Sequence, residues 1–161
     1  MKTEPLALPT PPAPVVGARL LAVLLWLLLA PTLFGATGTK PILLPSDSKA
    51  EAVKVAQNWV ALLDAGKYDD SHAQAATPLK QAVSRKKWKA TMGPLRDPLG
   101  AVNSRLEKSV RLTREIPGAP DAQYAVVEFA TSLGNKPDVT ETVTLVWEKD
   151  GRWRVASYAI R

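Results

Sequence analysis

Arg96 to Arg105 reads RDPLGAVNSR: two guanidiniums, a carboxylate, an amide and a hydroxyl gathered around a proline and a glycine. At the mouth of a pocket these residues would form an anion site, with Arg96 and Arg105 gripping a charged group and Asp97 serving as base. The competing reading is a turn. Pro94 and Pro98 would end helices, Gly100 would take a backbone angle that residues with a Cβ avoid, and the arginines would pair with nearby carboxylates. Turn chemistry accounts for the Pro, Gly, Asp and Asn without a ligand and is the preferred reading. The direction of Arg105 is left open by the alternation around it.

Proton transfer has further candidates. An isomerase that forms an enolate sets a carboxylate base in an apolar pocket, opposite a Tyr or a neutral acid. Glu128, amid Tyr124, Val126, Val127 and Phe129, and Glu141, a carboxylate at the end of an apolar row, are the candidate bases. Tyr68, Tyr124 and Tyr158 are the candidate donors. No spacing fixes a pair, and a strand acid held by Arg105 or Arg111 is the simpler account. His72, the single histidine, lies three residues after Asp69. Two weak ligands do not make a metal site, and a lone His on a short polar helix reads as a surface or cap residue. Ser71 has no triad around it. No catalytic residue, metal or cofactor is therefore expected, and the ligand-binding candidates are Arg105, Glu128, Glu141, Arg96 and Tyr124.

The segment SRKKWK, Ser84 to Lys89, mixes charge with an aromatic ring as nucleic-acid sites do. At helical spacing Trp88 falls inward, and Arg85, Lys86 and Lys89 point to solvent, so the bland reading holds and no nucleic acid is expected. Trp59, Trp147 and Trp153 read as core.

The elements that must position these residues change character at Ala101. Before it, Val53, Ala56, Trp59, Val60 and Leu63 recur at three and four, one buried stripe of a helix capped by Ser46 or Asp47 and ended by Gly66. Lys67 to Ala76 reads as a second short helix. Thr77 before Pro78 reads as the cap of a third, and Ser84 as a further cap that leaves one kinked helix or two short ones. After it, residues 102–116, 123–133, 139–149 and 152–160 alternate and are rich in β-branched and aromatic residues. The turns PGAPD, GNKPD and DG divide them, and Asp150-Gly151 is the strongest hairpin signal. In the third strand Thr140, Thr142 and Thr144 form a polar face. The expectation is a segregated α+β domain over residues 49–161, with N-terminal helices packed on a curved four-stranded antiparallel sheet.

Residues 1–38 differ in kind. Arg19, the apolar run LLAVLLWLLLA and the small residues GATG follow in the order of a secretory signal. The run is shorter than the roughly 20 apolar residues a span needs, and Pro31 interrupts it, which favours cleavage, after Gly38, over an uncleaved N-terminal anchor. Residues 39–48, with two prolines and no periodicity, read as a linker. The domain is thus expected in the periplasm or outside the cell, touching membrane only through an uncleaved leader. The 161 residues, 46% hydrophobic, suffice for one core, and the absence of Cys excludes disulfides, thioether-linked haem and Cys-ligated zinc. A net charge of +6 favours polyanionic neighbours only mildly.

NWVALLDAGKYDDSHAQAA, RDPLGAVNSR, PGAPDAQYAVVEFATS, ETVT and DGRWRVASYAI, in that order, make residues 52–161 resemble the bacterial family known as domain of unknown function 4019. That resemblance implies the cone-shaped α+β superfamily of nuclear transport factor 2, ketosteroid isomerase and scytalone dehydratase. It also implies pairing through the outer sheet face, hence a homodimer, and no particular activity. The function expected is a non-catalytic binding or interaction domain, taking a small ligand in the cone or a protein partner on the sheet. The alternative is an isomerase or dehydratase acting by proton transfer in the cone.

Overall fold

The computed structural model describes residues 47–161; the expected leader, 1–38, and all of the linker before Asp47 lie outside the described residues. Helix α1, Ser48–Asp64, follows from its apolar stripe: Ala52, Val53, Ala56, Trp59, Val60 and Leu63 are buried. Asp47 stands at its N-cap position without a side-chain cap bond. Helix α2 is Tyr68–Ala73, α3 Thr77–Ala82 and α4 Arg85–Arg96, so the stretch left open in sequence is two helices. Ser84 Oγ accepts from Lys87 N at 3.3 Å and caps α4 as expected.

Two expectations are corrected here. Thr77 lies inside α3, whose N-cap position is Ala76, and Thr77 N donates to Glu148 Oε1 at 2.8 Å, so a distant carboxylate serves the helix start. Pro94 does not end α4, which continues to Arg96 before the 3₁₀ turn Asp97–Leu99. A proline removes only one bond of the ladder, and Arg96 has partners that hold the last turn in place.

The strands are β1 Val102–Thr113, β2 Tyr124–Leu133, β3 Lys136–Trp147 and β4 Trp153–Ile160, paired antiparallel in the order β1-β2-β3-β4. The register shifts at Glu107/Ser109, Thr131/Leu133 and Thr144/Leu145 interrupt the ladder, as bulges do where they bend a sheet and increase its twist. The GNKPD turn is tighter than its composition suggests: Leu133 pairs with Lys136 across Gly134-Asn135, and Asp138 adopts a φ of 60° inside β3.

Helix α1 packs against all four strands on one face of the sheet. There the alternation of β2 and β3 buries Ala125, Val127, Phe129, Val143 and Leu145 with Val155 of β4, Leu63, Met92 and the rings of Trp59 and Trp88. Each of the Val, Leu, Phe and Met side chains among them, fully removed from water, stabilises the fold by about 1.5–3 kcal/mol. The other face carries Thr140, Thr142 and Thr144 half-buried, as alternation predicts, and Leu106 at its edge, 69% exposed. Among the described residues no helix is long and apolar enough to cross a membrane.

Candidate functional site

The RDPLGAVNSR segment is a turn at its centre and a charge site at its ends. Gly100 has φ 77°, which favours glycine, and a Cβ there would also crowd the Asn135 side chain at 3.3 Å. Asn135 Nδ2 donates to the Pro98 carbonyl at 3.0 Å and Asn135 N to the Leu99 carbonyl at 3.0 Å, docking this turn onto the β2–β3 turn. Asp97, proposed from sequence as a base, accepts from Tyr68 Oη at 2.6 Å instead of facing a pocket. Burial and that bond push the Tyr68 hydroxyl up to about 12.

The two arginines converge on Glu141. Register pairs Arg105 with Thr131, whose side chain is buried, which turns Arg105 to the helix-covered face and settles its direction. Arg105 Nε donates to Glu141 Oε2 at 2.7 Å, and Arg96 Nη1 donates to Glu141 Oε1 at 2.7 Å. Both guanidiniums also hold Asp64: Arg105 through Nη1 at 2.7 Å and Nη2 at 2.9 Å, Arg96 through Nη2 to Oδ1. Asp64, Arg96, Glu141 and Arg105 thus alternate in sign around a closed ring of zero net charge.

Two hydroxyls complete it. Thr131 Oγ1 donates to Glu141 Oε2 at 2.6 Å. Tyr158 Oη donates to Glu141 Oε1 at 2.6 Å and accepts from Arg96 Nη1 at 2.8 Å. Glu141, which is fully buried, therefore accepts two bonds on each oxygen. Each strand and the two longest helices contribute one member: Asp64 ends α1, Arg96 ends α4, and Arg105, Thr131, Glu141 and Tyr158 come from β1 to β4 in order. Next to the ring, Trp59 packs tilted against Tyr158, ring centroids 5.8 Å apart, and against Trp88 at 5.9 Å.

This environment decides the protonation states. Burial by itself would raise the Glu141 carboxyl, but the bonds from Arg105, Thr131 and Tyr158 overcome it and hold the group below the usual carboxylate range. Burial likewise works against the charge of Arg105, and the bonds to Asp64 and Glu141 outweigh it, so the guanidinium stays charged. Burial, then the neighbouring Glu141 charge, raises the Tyr158 hydroxyl. A general base must have a lone pair directed at substrate. Both oxygens of Glu141 are committed to donors of the chain itself.

The other sequence candidates lie elsewhere. Glu128 is half-buried on the opposite face of the sheet and accepts from Ser109 Oγ at 3.1 Å, so it never meets Arg105. Tyr124 donates to the Pro120 carbonyl at 2.6 Å within a second small apolar cluster with Ala76 and Val146. Arg111 is exposed opposite Val126. His72 is buried, not the surface or cap residue expected: Nε2 donates to the Val83 carbonyl at 2.7 Å and ties α2 to the α3–α4 joint. Ser71 Oγ donates to the Tyr68 carbonyl and accepts from Trp88 Nε1. Among the described residues no three His, Cys, Asp or Glu side chains gather as metal ligands would.

Asp64 and Thr131 were missed by sequence reasoning. Asp64 falls four residues after Val60 and directly after Leu63, at the end of the apolar stripe, just as Glu141 ends its apolar row. Two lone acids closing two apolar rows were the available signal.

A family described as protein of unknown function (DUF4019) matches residues 55–158. Among curated proteins none matches the chain. Similar solved structures include ActVI-ORFA from Streptomyces coelicolor, 12% identical over 73% of this chain and 96% of that one, with a TM-score of 0.49. Aln2, from another Streptomyces, is 15% identical over 73% and 93%, with a TM-score of 0.46. A protein from Catenulispora acidiphila is 19% identical over 70% and 88%, with a TM-score of 0.43. Helices leading into an open four-stranded antiparallel sheet, the α+β arrangement expected from sequence, are the architecture of this chain.

Proposed function

The chain belongs to the family described as protein of unknown function (DUF4019), and from that premise we propose that it is an exported, non-catalytic interaction domain that engages a protein partner, including a second copy of itself, across the outer face of its sheet. The observation that carries the reading is the saturation of Glu141. Four internal donors occupy its two oxygens, and both arginines of the cone mouth are engaged by Glu141 and Asp64. An isomerase or dehydratase would need one of these groups free for substrate. With the aromatic cluster below, the inside of the cone serves stability, and recognition falls to the outside.

The outer face suits that role. Register sets Leu106 beside Ala130, both exposed, and Ala130 beside the half-buried Thr140. The order of charge, apolar run and small residues in residues 1–38 supports the export part of this reading. Native mass spectrometry of the gently purified chain tests the reading. A dimer, or a complex with one protein, that Leu106→Glu dissociates is the expected result. A monomer that releases a small molecule on denaturation, with no effect of Leu106→Glu, overturns it.

A further inference from the structure

Helices α3 and α4 carry charge of one sign. From Thr77 to Arg96 the sequence has six cations, Lys80, Arg85, Lys86, Lys87, Lys89 and Arg96, and no carboxylate. Arg96 is buried in the ring, and Lys89 makes an exposed pair with Asp69 of α2 at 3.1 Å. Lys80, Arg85, Lys86 and Lys87 are exposed and make no ion pair among the described residues.

This placement works against the helix itself. Arg85, Lys86 and Lys87 fill the first turn of α4, where the free backbone N–H groups already concentrate positive charge, and no acid stands there to offset them. Cations favour the opposite end of a helix, and no ion pair among the described residues compensates for three of them at this end. A local rule broken without an internal gain points to a use outside the domain.

Geometry selects the kind of anion. At about 100° of turn per residue, Trp88 points into the core, Lys86 points away from it, and Lys87 and Lys89 flank it to either side. Charges fanned over half a cylinder cannot converge on one phosphate or carboxylate; they suit an extended plane of negative charge. Single-stranded nucleic acid needs an exposed ring for stacking, and Trp88 is buried. A protein partner needs an apolar centre, and no large apolar side chain is exposed among these cations. A bilayer with anionic head groups needs only the charge. The apolar run of residues 20–30 precedes the domain with residues 31–47 between them, so the chain carries its own means of reaching a bilayer.

We infer that the outward face of α4 docks on an anionic lipid surface through Lys86, Lys87 and Lys89, with Arg85 at its end. The face lies on the helix side of the sheet, so it leaves the outer sheet face free and does not depend on the partner reading above.

The test is lysine footprinting of the full chain by acetylation and mass spectrometry, on vesicles of phosphatidylcholine alone and of equimolar phosphatidylcholine and phosphatidylglycerol. The apolar run acts on both, so the comparison isolates head-group charge. Slower acetylation of Lys86, Lys87 and Lys89 on the mixed vesicles is expected, reversed by high salt, with Lys108 and Lys136 of the sheet unchanged. Each cation near the surface counts about fivefold, so Lys86→Glu with Lys87→Glu should cut the docked population at least about 25-fold and return Lys89 to its rate on phosphatidylcholine. That variant puts acids in the first turn of α4, so its thermal stability should hold or rise, which separates lost docking from lost folding. A fall in stability would mean that the cations serve the fold, and overturns the proposal. Equal rates on the two vesicles, read on the unaltered chain, overturn it too, as does protection of Lys89 that survives in the double variant. A short DNA duplex that protects these lysines as well as the mixed vesicles do overturns the lipid assignment in favour of nucleic acid.

Discussion

Two arginine–carboxylate networks sit on this one small sheet, and they differ in everything but their chemistry. Between the ends of α1 and α4 and the sheet, Arg96 and Arg105 share Asp64 and Glu141, with side-chain exposures of 4% for Arg96 and none for Glu141. At the β3–β4 turn Arg154 takes Glu148 and Asp150, with half of the Asp150 side chain in water. The second network is local, its members at most six positions apart, and solvent screens it. The first bonds positions as much as 62 residues apart only because the fold closes, and Asp64 and Glu141 meet the same two guanidiniums. Equal bond lengths therefore do not mean equal worth: burial makes each member of the ring depend on the others.

The largest effect should come from removing the centre of the ring. Glu141→Ala leaves two guanidiniums, a hydroxyl and a phenol without their shared acceptor and should lower stability by about 3–5 kcal/mol in urea unfolding. If the cost is the uncompensated charge, the double variant Glu141→Leu with Arg96→Leu, which removes one charge of each sign, should be more stable than Glu141→Leu alone. Equal stability of single and double variants would sink the ring as a coupled unit.

Tyr158→Phe is the gentler probe, deleting one hydroxyl while Glu141 Oε1 keeps its bond from Arg96. A loss of about 1 kcal/mol is expected, doubling as a measure of how much the ring tolerates.

Acid sharpens the comparison by sign. Glu141 in the folded chain stays ionised below the ordinary glutamate value of 4.5, where the unfolded chain is already protonated. Its stabilisation is whole above that value and drains away as pH falls through the lower, native one. Burial would also raise Glu148, and its bonds from Thr77 and Arg154 overcome this to lower it. In Glu141→Gln the acid limb of the stability curve should flatten; in Glu148→Gln it should flatten less, and less still at high salt. The smallest effect belongs to Arg154→Ala, within about 1 kcal/mol and shrinking with added salt. A larger, salt-insensitive loss would erase the distinction between the two networks.

Much of the architecture was legible from local pattern. The 3.6-residue stripe of α1, the Ser84 cap and the alternation of β2 and β3 announce elements whose burial follows from periodicity, and the structure places them as expected. The Thr77 cap and the Pro94 stop were misread because both are local signals that distant partners override: Glu148 at the start of α3, and Glu141 with Tyr158 at the end of α4. His72 was misread because a polar neighbourhood in sequence says nothing about the helix that later covers it.

The sequence by itself determined the elements, their order, the class of fold and the oddity of an acid closing the apolar row at Glu141, because propensity, capping and periodicity act over a few residues. Only the tertiary structure decided which way Arg105 points, that Asp64 joins it, and that six elements each send one side chain to the same point. Charges pair through space, and in a folded chain the nearest carboxylate to a guanidinium is chosen by packing, which no local stretch of sequence records.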